Sequence, residues 1–335
     1  MKFTMKNLTV LLVIILICLA IAGGYAIGIY LSASIDRDTD ESCPNIMADI
    51  VQSAQGNVYE AVDPNYIDPT MYDLVTYSVN GDEIINPVFD TTIPNDLKDE
   101  QQNSALQKRA WQIFATLIPA KDRQIVSQYK VFTDGFEETL AMVDLTDDFT
   151  QWIVEVDIAD LENKDQFMFT LIHEYAHLLT LNASQVTADQ EVLSDLLNDN
   201  PNLALLERKT AACPEYFTGG GCSLPNSYIN AFYDRFWLDI NDEWKQIDAL
   251  QYADDPNPYY AGLYNFYLTH QDQFVDDYAT THPTEDIAES FTYFVFSPKP
   301  VGNSIRDQKI AFFYEYPELV ELRRNILNSV CLAIQ

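Results

Sequence analysis

Positive charge is scarce in this chain: Lys plus Arg number 19 against 51 Asp plus Glu, for a formal net charge of -32. Nucleic acids and anionic lipid surfaces are bound through basic patches, so this balance excludes both as partners. What it leaves is a highly soluble acidic surface. Histidine is scarcer still, with four in 335 residues. The 5 cysteines include no C-x-x-C pair, which argues against a Cys-based zinc site. No internal repeat and no low-complexity linker divides the chain. Length and an apolar share of 47% are sufficient for a sizeable core in an ordinary globular protein.

Charge is absent altogether from residues 8–31, LTVLLVIILICLAIAGGYAIGIYL. That run is long enough to span a bilayer. Lys2 and Lys6 precede it, and Asp36, Arg37, Asp38, Asp40 and Glu41 follow it. The positive flank predicts a cytoplasmic N-terminus, with everything beyond about residue 32 outside the cytoplasmic membrane. Small residues at Gly24-Tyr25-Ala26 and Ser32-Ala33-Ser34 allow the alternative of a cleaved signal peptide and a secreted chain. Cys18 lies inside the apolar run and reads as membrane packing. The other four cysteines, Cys43, Cys213, Cys222 and Cys331, are an even number in an oxidising compartment and predict two disulfides. Cys213 and Cys222 bracket a short loop, which pairs Cys43 with Cys331.

Gly and Pro are absent from Phe167 to Leu181, FMFTLIHEYAHLLTL, so this apolar stretch predicts a buried helix. Within it His173-Glu174-Tyr175-Ala176-His177 is an H-E-x-x-H. Residues i and i+4 share a helix face, so His173 and His177 can hold one metal ion with two imidazole nitrogens. Glu174 is rotated about 100° from His173 and borders the metal, placed to act as general base on a bound water. Two neutral nitrogens with room for a carboxylate suit zinc.

Upstream, Tyr72 to Phe89 predicts a hairpin turning at Asn80-Gly81. Asn95 to Ile118 predicts one amphipathic helix, capped by Asn95 or Asp96 and ended by Pro119. Gln124–Thr133, Thr139–Leu145 and Gln151–Ile158 predict strands, the last being the candidate sheet edge. Downstream, short helices are expected over 186–210 and a closing helix over 307–333. Aromatic stripes over 226–244 and 258–275 read as core.

A catalytic zinc site needs a third protein ligand and an open position. His270 and His282 are the only other histidines. Carboxylates are offered instead by Thr284-Glu285-Asp286-Ile287-Ala288-Glu289, where Thr284 can cap a helix beginning at Glu285. Glu285 and Glu289 share a face of that helix. One can bind the metal while the other accepts a hydrogen bond from a ligand His; spacing does not say which.

This arrangement, H-E-x-x-H on one helix and E-x-x-x-E on a second far downstream, resembles the gluzincin zinc metallopeptidases. Within them it is similar to the catalytic domain of anthrax lethal factor and its relatives, including Pro-Pro endopeptidases, and to bacterial putative zinc-binding metallopeptidases. Those of the lethal-factor type carry a Tyr seven residues before the ligand Glu, and Tyr278 stands seven before Glu285. The resemblance covers about 166–296 and implies that Glu285 is the third ligand and that Glu289 supports a ligand His. It also implies that Tyr278 assists the transition state. The stretch between His177 and Glu285 is much longer than in small members of the family and includes an insertion around 183–260.

The expected fold is α+β and zincin-like, with a small twisted sheet and a mostly helical C-terminal half. The expected organisation is a cytoplasmic segment 1–7, an anchor or signal segment 8–31, a juxtamembrane segment 32–71 and the metallopeptidase domain 72–335. The expected function is Zn2+-dependent hydrolysis of a peptide or protein substrate, with membrane contact through the N-terminal helix only. The alternative is a metal-binding ectodomain that holds a partner without cleaving it.

Overall fold

The computed structural model describes residues 44–53, 70–135, 139–198, 201–253 and 257–333. The apolar run 8–31 and Cys43 lie outside them. No described helix is long and apolar enough to cross a membrane.

The chain is a mixed α+β structure. Helix α1 (Pro44–Ser53) precedes the hairpin β1 (Tyr72–Asn80) and β2 (Glu83–Phe89). Asn80 pairs with Glu83, so the turn residues are Gly81 and Asp82; Gly81 takes φ +62, where a side chain would be strained. A short helix α2 (Lys98–Gln101) and α3 (Ser104–Leu117) follow, then β3 (Val126–Thr133), β4 (Ala141–Leu145) and β5 (Trp152–Asp157). The strands form one sheet in the order β2-β1-β3-β5-β4. β3 and β5 are parallel; the other neighbours are antiparallel.

Helix α4 (Lys164–Leu181) carries the H-E-x-x-H. Asn163 caps it by accepting from the Gln166 amide, and Asn182 closes it by donating its side-chain amide to the Leu178 and Leu179 carbonyls. Beyond it lie β6 (Val186–Ala188), α5 (Gln190–Leu196), α6 (Leu203–Ala212) and β7 (Gly221–Ser223). Then come α7 (Tyr228–Phe236), α8 (Asn241–Asp248), α9 (Asn257–Thr269), α10 (Pro283–Phe296), α11 (Ile305–Phe312) and α12 (Pro317–Ala333). Strands β6 and β7 pair in a small second sheet. Cys213 and Cys222 are disulfide-bonded across the loop before it. Cys331 is disulfide-bonded as well.

The core is continuous from sheet to helices. Tyr129, Val131, Val154 and Val156 from the strands pack with Phe167, Leu171 and Ile172 of α4 and Ile287, Phe291 and Phe294 of α10. Burial of such side chains contributes about 1.5–3 kcal/mol each. α10 packs along α4, and α4 packs against β4. The aromatics Phe232, Trp237, Trp244 and Phe266 are buried, as expected of core.

Several local expectations are corrected. The 95–118 helix is broken at Gln102-Asn103, because side chains take over its backbone groups. Gln107 donates to the Glu100 and Gln101 carbonyls, Gln101 donates to the Leu74 and Asp90 carbonyls, and Asn103 is the cap. The Gln151–Ile158 strand is not an edge. It lies between β3 and β4, and the edges are β2 and β4. The closing helix begins earlier, in a capping box of Ser304 with Asp307, and is interrupted before Pro317. The helix bearing Glu285 is capped by His282 rather than Thr284 and begins at Pro283.

Candidate metal centre

His173 and His177 face outward from one side of α4 toward the first turn of α10. Their Nε2 atoms are 3.0 Å apart. Glu285 Oε2 lies 3.1 Å from His173 Nε2 and 3.3 Å from His177 Nε2. Among the described residues, these three side chains are the group of His, Cys, Asp or Glu that could hold a metal ion. The triangle itself tests the fit. Donors bound tetrahedrally at about 2.0–2.1 Å lie about 3.3 Å from one another, close to the spacing of all three pairs.

The imidazole orientation fits too. His173 Nδ1 contacts Glu289 Oε1 at 2.7 Å. A carboxylate there favours the proton on Nδ1 and leaves the Nε2 lone pair for the centre. Both residues are buried. Burial alone would lower the His173 pKa, but Glu289, Glu285 and Glu174 together raise it well above the usual value. Burial would likewise raise Glu285, yet the two imidazoles beside it hold its carboxyl well below the usual range. The centre therefore gathers negative charge around two nitrogens, an electrostatic setting that a divalent cation satisfies.

Glu174 is buried at 8% exposure. Burial pushes its carboxyl up to about 7, His173 and His177 pull it down in part, and Glu285 and Glu289 add to the rise. A carboxyl near 7 can both take and return a proton at neutral pH.

Tyr278 opens a 3-10 turn at residues 278–280, just before α10. Its ring centroid is 5.7 Å from that of His173, and the side chain is 37% exposed. Glu285, burial, Glu174 and Glu289 raise the phenol well above its usual value. The structure thus brings together all six residues singled out in the sequence: His173, Glu174, His177, Tyr278, Glu285 and Glu289.

The other two histidines serve elsewhere. His282 Nδ1 accepts from the Thr284 amide, and its ring packs on Trp244 at 5.3 Å. Burial lowers its pKa to about 4, with Glu285 opposing and His177 adding, so it caps α10 as a neutral ring. His270 Nε2 lies 3.0 Å from Glu243 Oε2. Two further residues escaped the sequence reading. Burial raises Asp276 well above the carboxylate range, and the charge of neighbouring Glu289 adds to the rise. Tyr216, from the disulfide loop, is buried with its hydroxyl unpartnered among the described residues. Burial raises its pKa, and Tyr233, Asp248 and Glu285 contribute. The only signals for either were an Asp two residues before Tyr278 and a Tyr between two cysteines of sequence separation 9.

A cavity of about 900 Å³ lies apart from this centre, lined by Tyr72, Leu97, Arg109, Asp134, Leu161 and Lys164 among others, and none of the metal-centre residues reaches it. No protein-family model, curated protein or solved structure matches the chain.

Proposed function

We propose that this chain is a zinc-dependent endopeptidase of the gluzincin kind, with a zincin-like fold, held outside the cytoplasmic membrane by residues 8–31. The observation that carries the reading is the donor triangle: two imidazoles one turn apart on α4 and a carboxylate from α10, with Glu174 beside them. The motif order and the Tyr278 position support it.

Nε2 of His173, Nε2 of His177 and a Glu285 carboxylate oxygen would hold the ion. When bound there, zinc supplies Lewis acidity and lowers the pKa of water toward about 7. Glu289 keeps the His173 proton on Nδ1. Glu174 accepts a proton from the attacking water at its carboxylate and delivers it to the leaving amine nitrogen. Tyr278 stays protonated across the working range, so its hydroxyl is a permanent donor. It donates to the substrate oxygen that gains charge as the carbonyl is attacked. β4 lies at the sheet edge beside α4, with no strand on its outer side among the described residues. An extended peptide can add to such an edge through main-chain hydrogen bonds.

Glu174→Gln separates an enzyme from a binding module. The zinc content of the variant should match wild type, while cleavage of a proteome-derived peptide library should vanish. Zinc-loaded wild type that cleaves no library member would leave the second reading, a metal-bearing ectodomain that only binds its partner.

A further inference from the structure

Every residue of α10 except Glu285 is buried. A helix buried on all sides has no solvent-facing stripe to set its rotation. Ile287, Ala288, Phe291 and Phe294 interlock with their neighbours and resist rotation, and a slip of one residue would swing Glu285 by about 100°. Polar contacts add a directional restraint to this packing, as where Arg323 donates to the Phe294 carbonyl near the end of the helix.

Away from the histidines, Asp286 makes polar contacts with two further elements. Asp286 Oδ2 lies 2.6 Å from Lys309 Nζ of α11, and both side chains are 0% exposed. The same oxygen accepts from the Trp237 indole N–H at 2.8 Å. Lys309 Nζ sits 3.8 Å from the Phe274 ring centroid and 5.8 Å from that of Trp237. One residue after the ligand carboxylate, the helix is thus tied to α11 and the segment following α7 inside an aromatic box. A buried ion pair is a poor source of stability, because apolar replacement is often neutral or stabilising. What it adds is geometry.

We infer that the Asp286–Lys309 pair positions the metal centre: it fixes the rotation of α10 and so holds Glu285 on the edge formed by His173 and His177. This rests on the metal reading above. Asp286 and Lys309 are positioning residues, acting through Glu285.

The test is zinc affinity by chelator competition, with the visible spectrum of the cobalt-substituted full chain, in wild type and in Asp286→Asn/Lys309→Met. Asn keeps an acceptor for the Trp237 N–H, and Met keeps the apolar stem. The expected result is a metal-free melting temperature no lower than wild type, zinc affinity weaker by about tenfold or more, and an altered cobalt spectrum. Wild-type affinity and spectrum in the folded double variant would overturn the inference alone. Should the double variant not fold, Lys309→Met alone decides. It breaks the pair while Asp286 stays as the acceptor for the Trp237 N–H, and it should weaken zinc severalfold; unchanged affinity there would overturn the inference equally. A wild-type chain that binds neither ion overturns the metal reading, and this inference with it.

Discussion

Replacing Glu289 and Glu285 in turn by Gln separates the carboxylate that supports a ligand from the carboxylate that is one. Glu289 Oε1 lies 2.7 Å from His173 Nδ1, and both side chains are 7% exposed. Gln can keep an oxygen at that distance but removes the charge, which is the largest of the influences raising the His173 pKa. Loss of such a supporting partner typically weakens metal binding about 10–100-fold, or about 1.4–2.7 kcal/mol. Glu285→Gln replaces one of three donors, and the only anionic one, with a neutral amide oxygen. Its loss should exceed that of Glu289→Gln, at about 100-fold or more. Chelator competition at fixed pH and salt reads both constants. A larger loss for Glu289→Gln, or no loss for either, would refute the assignment of roles.

Tyr278→Phe keeps the ring packing against His173 and deletes one hydroxyl. kcat should fall about 10²–10³-fold with little change in KM or zinc content, and near-wild-type turnover would make Tyr278 a packing residue. Cys213→Ser/Cys222→Ser opens a loop of sequence separation 9. Its chain-entropy contribution is at most about 2.7 kcal/mol, read as a lower denaturant midpoint, and an unchanged midpoint would count against it. Asp157 concerns pH. Burial raises its carboxyl to about 7 from 3.8, against backbone hydrogen bonds from Ala159 and Asp134 that lower it. The folded state then holds the proton more tightly than the unfolded one, so this contribution is full below about pH 4 and fades as pH rises through about 7. Between pH 5 and about 7.5 wild type should lose more stability than Asp157→Asn; parallel pH profiles would contradict this.

Helix α4 and strands β3, β4 and β5 were legible because their signals are local. Phe167 to Leu181 lacks any breaker, and the strand segments are apolar and bounded by turn residues. Even the pairing of α4 with α10 followed from two i, i+4 spacings. Strand order was not legible, since β5 becomes interior only when β4 folds back along it, and no local pattern marks which arm lies outside. The break at Gln102-Asn103 arises from Gln101 and Gln107 bonding to backbone carbonyls, which propensity does not register. His282 as a cap was hidden because Thr284 is the commoner choice. Asp286 looked like an ordinary acidic first-turn residue. Its partner Lys309 lies on another helix, so the pair exists only once α10 and α11 are packed.

The most direct measurement is zinc per chain by elemental mass spectrometry, after loading and exhaustive dialysis, in wild type and His177→Ala. The account predicts about one zinc per wild-type chain and a large loss in His177→Ala. Wild type that retains no zinc, or His177→Ala with undiminished zinc, would contradict it.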